Sequence, residues 1–452
     1  MFRKLLSGLT STAVVAGLAT AGAVAVAAPA AAVDTFNIPP YKDSQNNPTL
    51  ASQCGLDFGL VLDASGSIGD TGIANLKTAA DAFVDALVDT GSNVAVTSFS
   101  TGSPGDGGTN LEPTALTSAT LSTVKASYSG LQSNGWTNWR QGLQDMKDYY
   151  PPAKSWKPKL MVFITDGNPN TIDSNDGGAF SDGAKGAVDP AIDVANAMKL
   201  AGTKMFGIAV GRVSLNPIKA VTNEEAYTGT NFPTAGYVQT PDYQTLKQQL
   251  RELAVDLCAP SLTITKLADT PDTQGFQPAD GWTFDTTVTI PTAGKWVNPT
   301  TDAIAANVAS TKSADTANSG AVNFQWKPNS NVATDPVIVK ETLKSGYERD
   351  PQLVCKAKNI LANPPTERDI TPTVDGNGNW NLGSIGPREI VTCTAKNTLT
   401  QLKLAKTVSG GTAEAKDFTL TATPQGSQTP DYSKPGDNAT FEPIKGGVLY
   451  TL

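Results

Sequence analysis

Apolar residues in the first half of the chain fall into two patterns. Short apolar runs at 60–62 and 160–164, and the apolar-rich stretches 94–99 and 204–210, read as strands, the first two with the continuity of strands buried on both faces of a parallel sheet. Between them apolar residues recur at helical spacing. Ile73, Leu76, Ala80, Phe83, Val84 and Leu87 predict a helix over 73–88. Stretches 138–149 and 189–200 read as helices too, the second with Pro190 in its first turn. Tyr243, Leu246, Leu250, Leu253 and Leu257 predict a closing helix over 242–257. Stretch 101–113 is Gly-rich, lacks periodicity and reads as loop. Strand alternating with helix predicts a doubly wound α/β sheet.

From Ala259 the texture changes. Helical spacing stops, and short alternating runs follow at 262–266, 284–290, 322–326, 337–341 and 391–397, the pattern of an all-β, Ig-like sandwich. Stretch 402–406 echoes 262–266, and 417–420 resembles the next strand, as if a second sandwich repeat begins there.

The N-terminus has its own signature. Arg3 and Lys4 precede an apolar 5–28 and the small residues Ala30-Ala31-Ala32, which reads as a secretory signal peptide over 1–32, with a retained membrane anchor as the alternative. The mature chain has no further apolar run of ~18 residues, so no membrane span is expected in it. The expected organisation is therefore signal peptide 1–32, a loose polar leader 33–53, an α/β domain 54–258, a β-sandwich 259–398, and the start of an incomplete repeat 399–452.

Composition narrows the chemistry. The 452 residues carry a net charge of −8 and no histidine. Histidine-based triads and histidine-ligated zinc or iron are excluded, and proton transfer near neutral pH loses its usual agent. A basic stripe for nucleic acid is absent from the sequence. The expectation is a protein that is not an enzyme. Four cysteines in an exported chain predict disulfides. Cys54 and Cys258 flank the α/β domain, whose ends should lie close together, so they are expected to pair. Cys355 and Cys393 sit in similar stretches, V-C-K-A-K-N and T-C-T-A-K-N, and pairing them keeps each bridge within one domain.

The candidate binding chemistry lies where the buried strands end. Leu60-Val61-Leu62 runs into Asp63-Ala64-Ser65-Gly66-Ser67, which places a carboxylate and two hydroxyls at alternate positions on the ligand-binding edge of such a sheet. Thr137 lies in a loop before a predicted helix, and Asp166 ends the run at 160–164. Hard oxygen donors of this kind suit Mg²⁺. Taken alone, D-x-S-x-S is also compatible with a capped strand-to-helix turn. Together the three stretches resemble the von Willebrand factor A (vWA) domain and its metal-ion-dependent adhesion site, over about residues 54–258. The resemblance implies Asp63, Ser65, Ser67, Thr137 and Asp166 as ligands of Mg²⁺, with Mn²⁺ or Ca²⁺ as substitutes. Trp136 stands where the family usually has a second glycine. It and Trp139 flank Thr137, and each is a candidate ligand contact as well as a candidate core residue. The implied function is that of a secreted, cell-surface or pilus-displayed adhesin, which binds an acidic group of a protein or glycan through the metal. The alternative is a structural pilus or envelope subunit whose vWA domain mediates assembly.

A second site follows from strand alternation. Lys266, Glu341 and Asn397 each end an apolar, core-facing row. A buried lysine is costly unless paired or neutral. A desolvated amine that meets an asparagine carboxamide can attack it, with a carboxyl shuttling protons as ammonia leaves. The region resembles the Cna protein B-type and related Ig-like domains of Gram-positive surface pilins. That resemblance implies a Lys266–Asn397 isopeptide bond assisted by Glu341. The alternative is that all three side chains are strand ends reaching solvent. Lys406 is placed like Lys266 in the incomplete repeat.

Overall fold

The computed structural model describes residues 41–149, 156–270, 273–297, 303–317, 319–362, 364–446 and 448–452. The expected signal peptide lies outside the described residues, as does 33–40 of the leader.

The first region is built from β1 (Asp57–Asp63), α1 (Gly69–Leu87), β2 (Asn93–Phe99), β3 (Leu111–Ala115), α2 (Leu121–Ser129), α3 (Trp139–Asp148), β4 (Leu160–Thr165), α4 (Lys185–Leu200), β5 (Lys204–Val210), α5 (Leu215–Val221), β6 (Tyr237–Thr240) and α6 (Tyr243–Cys258). The sheet order is β3-β2-β1-β4-β5-β6, parallel except for β3. Continuous hydrophobicity in β1 is explained by its neighbours on both faces. Leu60 and Leu62 pack with α1 and α6, whereas Val61 packs with α3 and α4.

Three local readings need correction. The Gly-rich stretch contains the edge strand β3, paired with β2 across a register irregularity, which hides the alternation. Helix α4 starts at Lys185, so Pro190 lies inside it rather than in its first turn. The leader is not loose where it is described. Lys42 N donates to Asp189 (2.8 Å), Gln45 N to Asn196 (2.8 Å), and the Asn47 side chain bonds both Met205 N and Met205 O. Polar side chains thus strap 41–47 along α4 and β5.

The second region is all-β: β7 (Ser261–Thr270), β8 (Thr273–Pro278), β9 (Thr283–Ile290), β10 (Gly294–Trp296), β11 (Ala303–Ile304), β12 (Val308–Asp315), β13 (Ala321–Pro328), β14 (Val337–Glu341), β15 (Tyr347–Arg349), β16 (Val354–Asn359), β17 (Thr366–Ile370), β18 (Thr373–Val374), β19 (Trp380–Gly383) and β20 (Ile390–Leu399). One sheet has the path β11-β10-β13-β7-β20-β16-β17, and the facing sheet runs β12-β9-β14-β19-β18. First strand β7 and last strand β20 lie side by side and parallel. Their inward rows meet Phe284, Val288, Val337, Val339 and Trp380 from the other sheet in one core. Past β20, stretch 402–406 forms no strand beyond Gln401–Leu402, and the expected strand at 417–420 is displaced to Thr419–Pro424.

The structure pairs Cys54 with Cys258 and Cys355 with Cys393. The first bridge sits at the junction of the two regions. There Gln325 of β13 accepts from Cys54 N (2.9 Å) and donates to Leu257 O (2.8 Å). Lys327 Nζ lies 3.1 Å from the Asp256 and Ala259 carbonyls, a cation at the negative end of α6.

Candidate metal centre and a buried lysine cluster

The D-x-S-x-S stretch leaves β1 at the carboxyl edge of the sheet. Asp63 is fully buried; one oxygen accepts from Ser65 N (2.7 Å), the other from Thr165 Oγ1 (2.6 Å). The Ser65 and Ser67 hydroxyls are 3.2 Å apart, and Ser67 Oγ donates to Asp166 Oδ1 (2.7 Å). Thr137 joins them across Gly167, where an added Cβ would lie 3.4 Å from both the Ser67 and Thr137 hydroxyl oxygens. The fold thus brings the five residues together at one mouth. Gly66 passes under the Thr137 loop, its N–H donating to Gly135 O (3.0 Å), and Gly135 takes φ +73° to turn there.

Several supporting side chains carry no local sequence signal. Thr165 also donates to Gly167 O (2.9 Å), and Asn170 accepts from Thr137 N (2.9 Å). Ser133 Oγ ties Ser65 O to the start of α1, at 2.8 Å on each side. Local spacing reveals none of these, since their partners are 33 or more residues away apart from the Gly167 bond. Trp139 departs from the contact reading. It is fully buried against Phe163, with Nε1 donating to Gly167 O (3.2 Å), so it holds the site from beneath. Trp136 remains 46 % exposed at the mouth.

The donor set fits a hard cation. Burial and the neighbouring Asp166 push Asp63 up to about 7. Asp166 is raised by burial, with Asp182 adding to it. The Tyr243 hydroxyl, at the start of α6, is buried without a hydrogen-bond partner and is raised by burial and by these same two aspartates. Carboxylates crowded by like charge, with three hydroxyls beside them, are satisfied by a divalent ion with oxygen preference.

The sandwich holds a different cluster. Lys266 on β7, Glu341 on β14 and Asn397 on β20 all turn inward. Lys266 Nζ is 2.7 Å from Glu341 Oε1, the same oxygen to which Asn397 Nδ2 donates at 2.9 Å. Trp282 closes the chamber, its ring centroid 4.4 Å from Lys266 Nζ. Burial lowers Lys266 to about 8, against the pull of Glu341. Lys406 has no such chamber; its ammonium lies 4.9 Å from the Phe418 ring centroid.

Residues 57–248 match the family model of the von Willebrand factor type A domain, so this part of the chain is a vWA domain, followed by a largely all-β region. Similar solved structures include proximal thread matrix protein 1 from the mussel byssus, at 16% identity and TM-score 0.33, over 45% of this chain and 46% of that one. The pilus adhesin SpaC from Lactobacillus rhamnosus GG is 11% identical with TM-score 0.35, over 90% and 64%. A von Willebrand factor type A protein from Catenulispora acidiphila is 13% identical with TM-score 0.34, over 78% and 71%. This chain spans about half the length of the byssus protein. No curated protein matches the sequence.

Proposed function

We propose that the chain is an extracellular adhesin, not an enzyme, whose vWA domain grips an acidic group of a protein or glycan ligand through a divalent cation. The observation that carries this is the meeting of Asp63, Ser65, Ser67, Thr137 and Asp166 at one mouth, where, among the described residues, the charges that shift the two carboxylates are other carboxylates. In this reading the two aspartates balance the ion's charge and the three hydroxyls orient it. The ion, Mg²⁺ or in its place Mn²⁺ or Ca²⁺, supplies the positive point that a ligand carboxylate completes. Thr165 and Trp139 fix the Gly167 carbonyl and so keep the mouth rigid. A secreted, surface-displayed location agrees with the N-terminal sequence and with the disulfides. Pilus or envelope assembly is the companion reading, in which the ligand is another subunit.

The test is binding of the full chain to host matrix proteins, glycans and bacterial envelope, with Mg²⁺, with EDTA, and with Asp63→Ala. Metal-dependent binding to a host molecule supports the adhesin. Binding restricted to the envelope supports assembly. Binding indifferent to both EDTA and Asp63→Ala removes the metal from the mechanism.

The buried lysine cluster supports a second proposal, an isopeptide cross-link between β7 and β20. Neutral Lys266 Nζ attacks Asn397 Cγ; the new C–N bond replaces the bond to Nδ2, which leaves as ammonia after Glu341 relays the amine proton to it. Intact mass reads the result directly. The native chain should be lighter by one ammonia, and Lys266→Ala and Asn397→Ala should not show that loss.

A further inference from the structure

Trp136 has no role in holding the metal residues, yet it is built into their mouth. Its backbone N–H donates to Thr101 Oγ1 (2.9 Å). One face of the indole lies on Gly178, where an added Cβ would come within 2.5–2.7 Å of three ring atoms. Gly178 at φ +75° leaves that face free of any side chain. A large aromatic side chain is therefore pinned from below and 46 % exposed, one residue from Thr137. Packing explains the pinned face; it gives no reason for the open one.

The surrounding charge decides what fits the open face. Asp70 follows β1, Asp106 follows β2, and Asp173, Asp176 and Asp182 follow β4, all on the same carboxyl edge as the metal residues. The cations of that edge are largely engaged. Arg140 donates to Ile172 O (3.3 Å), and Lys185 pairs with Asp189 (2.8 Å); Arg212 follows β5, two places from β1 in the sheet. The chain as a whole carries −8. A polyanionic glycan would meet repulsion everywhere except at the ion. A basic side chain would meet both the negative rim and the face of an indole, the preferred ring for a cation.

We propose that the ligand is a polypeptide segment in which the carboxylate that meets the metal is flanked by lysine or arginine, with Trp136 as the platform for the flanking cation. This rests on the metal-dependent reading above and adds the class of partner.

The experiment measures the full chain against immobilised synthetic peptides. Each peptide carries one glutamate flanked by lysine or arginine, by serine, or by aspartate. Heparin and sialyllactose are measured alongside, all in Mg²⁺ and again in EDTA. The basic-flanked peptides should bind about tenfold tighter than the serine-flanked ones, a gap of the size that a cation over an exposed indole and a like-signed rim can supply. That gap should narrow with added salt. Trp136→Ala should remove most of it without abolishing EDTA-sensitive binding, and Trp136→Phe should keep part of it. Mg²⁺-dependent binding that ignores the flanks, or that selects heparin or sialyllactose, overturns the proposal and leaves the metal site standing. Peptide binding insensitive to EDTA overturns the metal-site reading and this proposal together.

Discussion

The vWA mouth and the sandwich chamber are both polar clusters set in apolar surroundings, but their charge is balanced in opposite ways. The mouth gathers two carboxylates and three hydroxyls at the rim of a sheet, and the charges acting on Asp63 and Asp166 are negative. The chamber holds one cation, one acid and one amide, all fully or nearly fully buried, with Lys266 facing Glu341 at 2.7 Å. One cluster carries uncompensated negative charge; the other is balanced within the chain. The proposed binding site and the proposed internal cross-link rest on that difference. An unbalanced cluster must open to solvent to recruit its partner, while a balanced one is best kept dry, where the amine loses its proton more readily.

Removing one charge from each cluster should have opposite effects on the two. Lys266→Ala leaves Glu341 without its cation in the core. Where the two charges are paired it should destabilise the chain by about 3–5 kcal/mol, read by denaturant unfolding; where the cross-link has formed, the cost is the loss of that link instead. Asp63→Asn should behave oppositely. It relieves like-charge crowding, so in EDTA the variant should melt no lower than the native chain. Its Mg²⁺ affinity by calorimetry should fall by more than about a hundredfold, beyond what outer partners of a metal site usually cost. Equal destabilisation in the two variants would mean that the mouth is merely structural.

Proton dependence sharpens the contrast further. Asp63 is raised from 3.8 to about 7, so its charged form is disfavoured in the metal-free fold. Without metal, stability should therefore fall as pH rises from the ordinary carboxylate range to about 7 and level off above it. Mg²⁺ affinity should rise over the same interval, because protons compete for the carboxylate. A Mg²⁺ titration repeated across that range checks both. The smallest effects belong to the supports. Trp139→Phe loses the bond to Gly167 O but keeps the ring, and should weaken Mg²⁺ by about tenfold or less. Tyr243→Phe removes a buried hydroxyl that has no partner, and should leave the EDTA melting temperature unchanged or slightly higher.

The α/β architecture was legible because buried parallel strands are continuous apolar runs and α1, α3 and α6 carry clean helical spacing. Of the proposed metal residues, Asp63 and Asp166, with Ser65 and Ser67 beside the first, were legible because apolar runs end there; Thr137 was legible only as a hydroxyl in the loop before α3. The supports were not. Thr165 reaches Asp63 and Asn170 reaches Thr137 through hydrogen bonds between segments distant in sequence, and periodicity carries no trace of those. Trp139 and Trp136 look alike in the sequence; only the packing of α3 on Phe163 separates the buried one from the exposed one. The strap at 41–47 escaped for a similar reason, since it is held by asparagine and aspartate side chains rather than by an apolar face. In the sandwich, strict alternation was enough to point Lys266, Glu341 and Asn397 inward.

The bridge between Cys54 and Cys258 has a mechanical consequence. Asp63 sits at one end of the central strand and Cys54 three residues before its other end, where the staple joins it to α6 and Gln325 joins both to the sandwich. In the proposed adhesin, traction on a captured ligand runs down β1 and crosses at that knot into the sandwich. The neighbouring strands β2 and β4 are loaded in shear along their whole ladders, so their hydrogen bonds share the tension instead of parting one at a time.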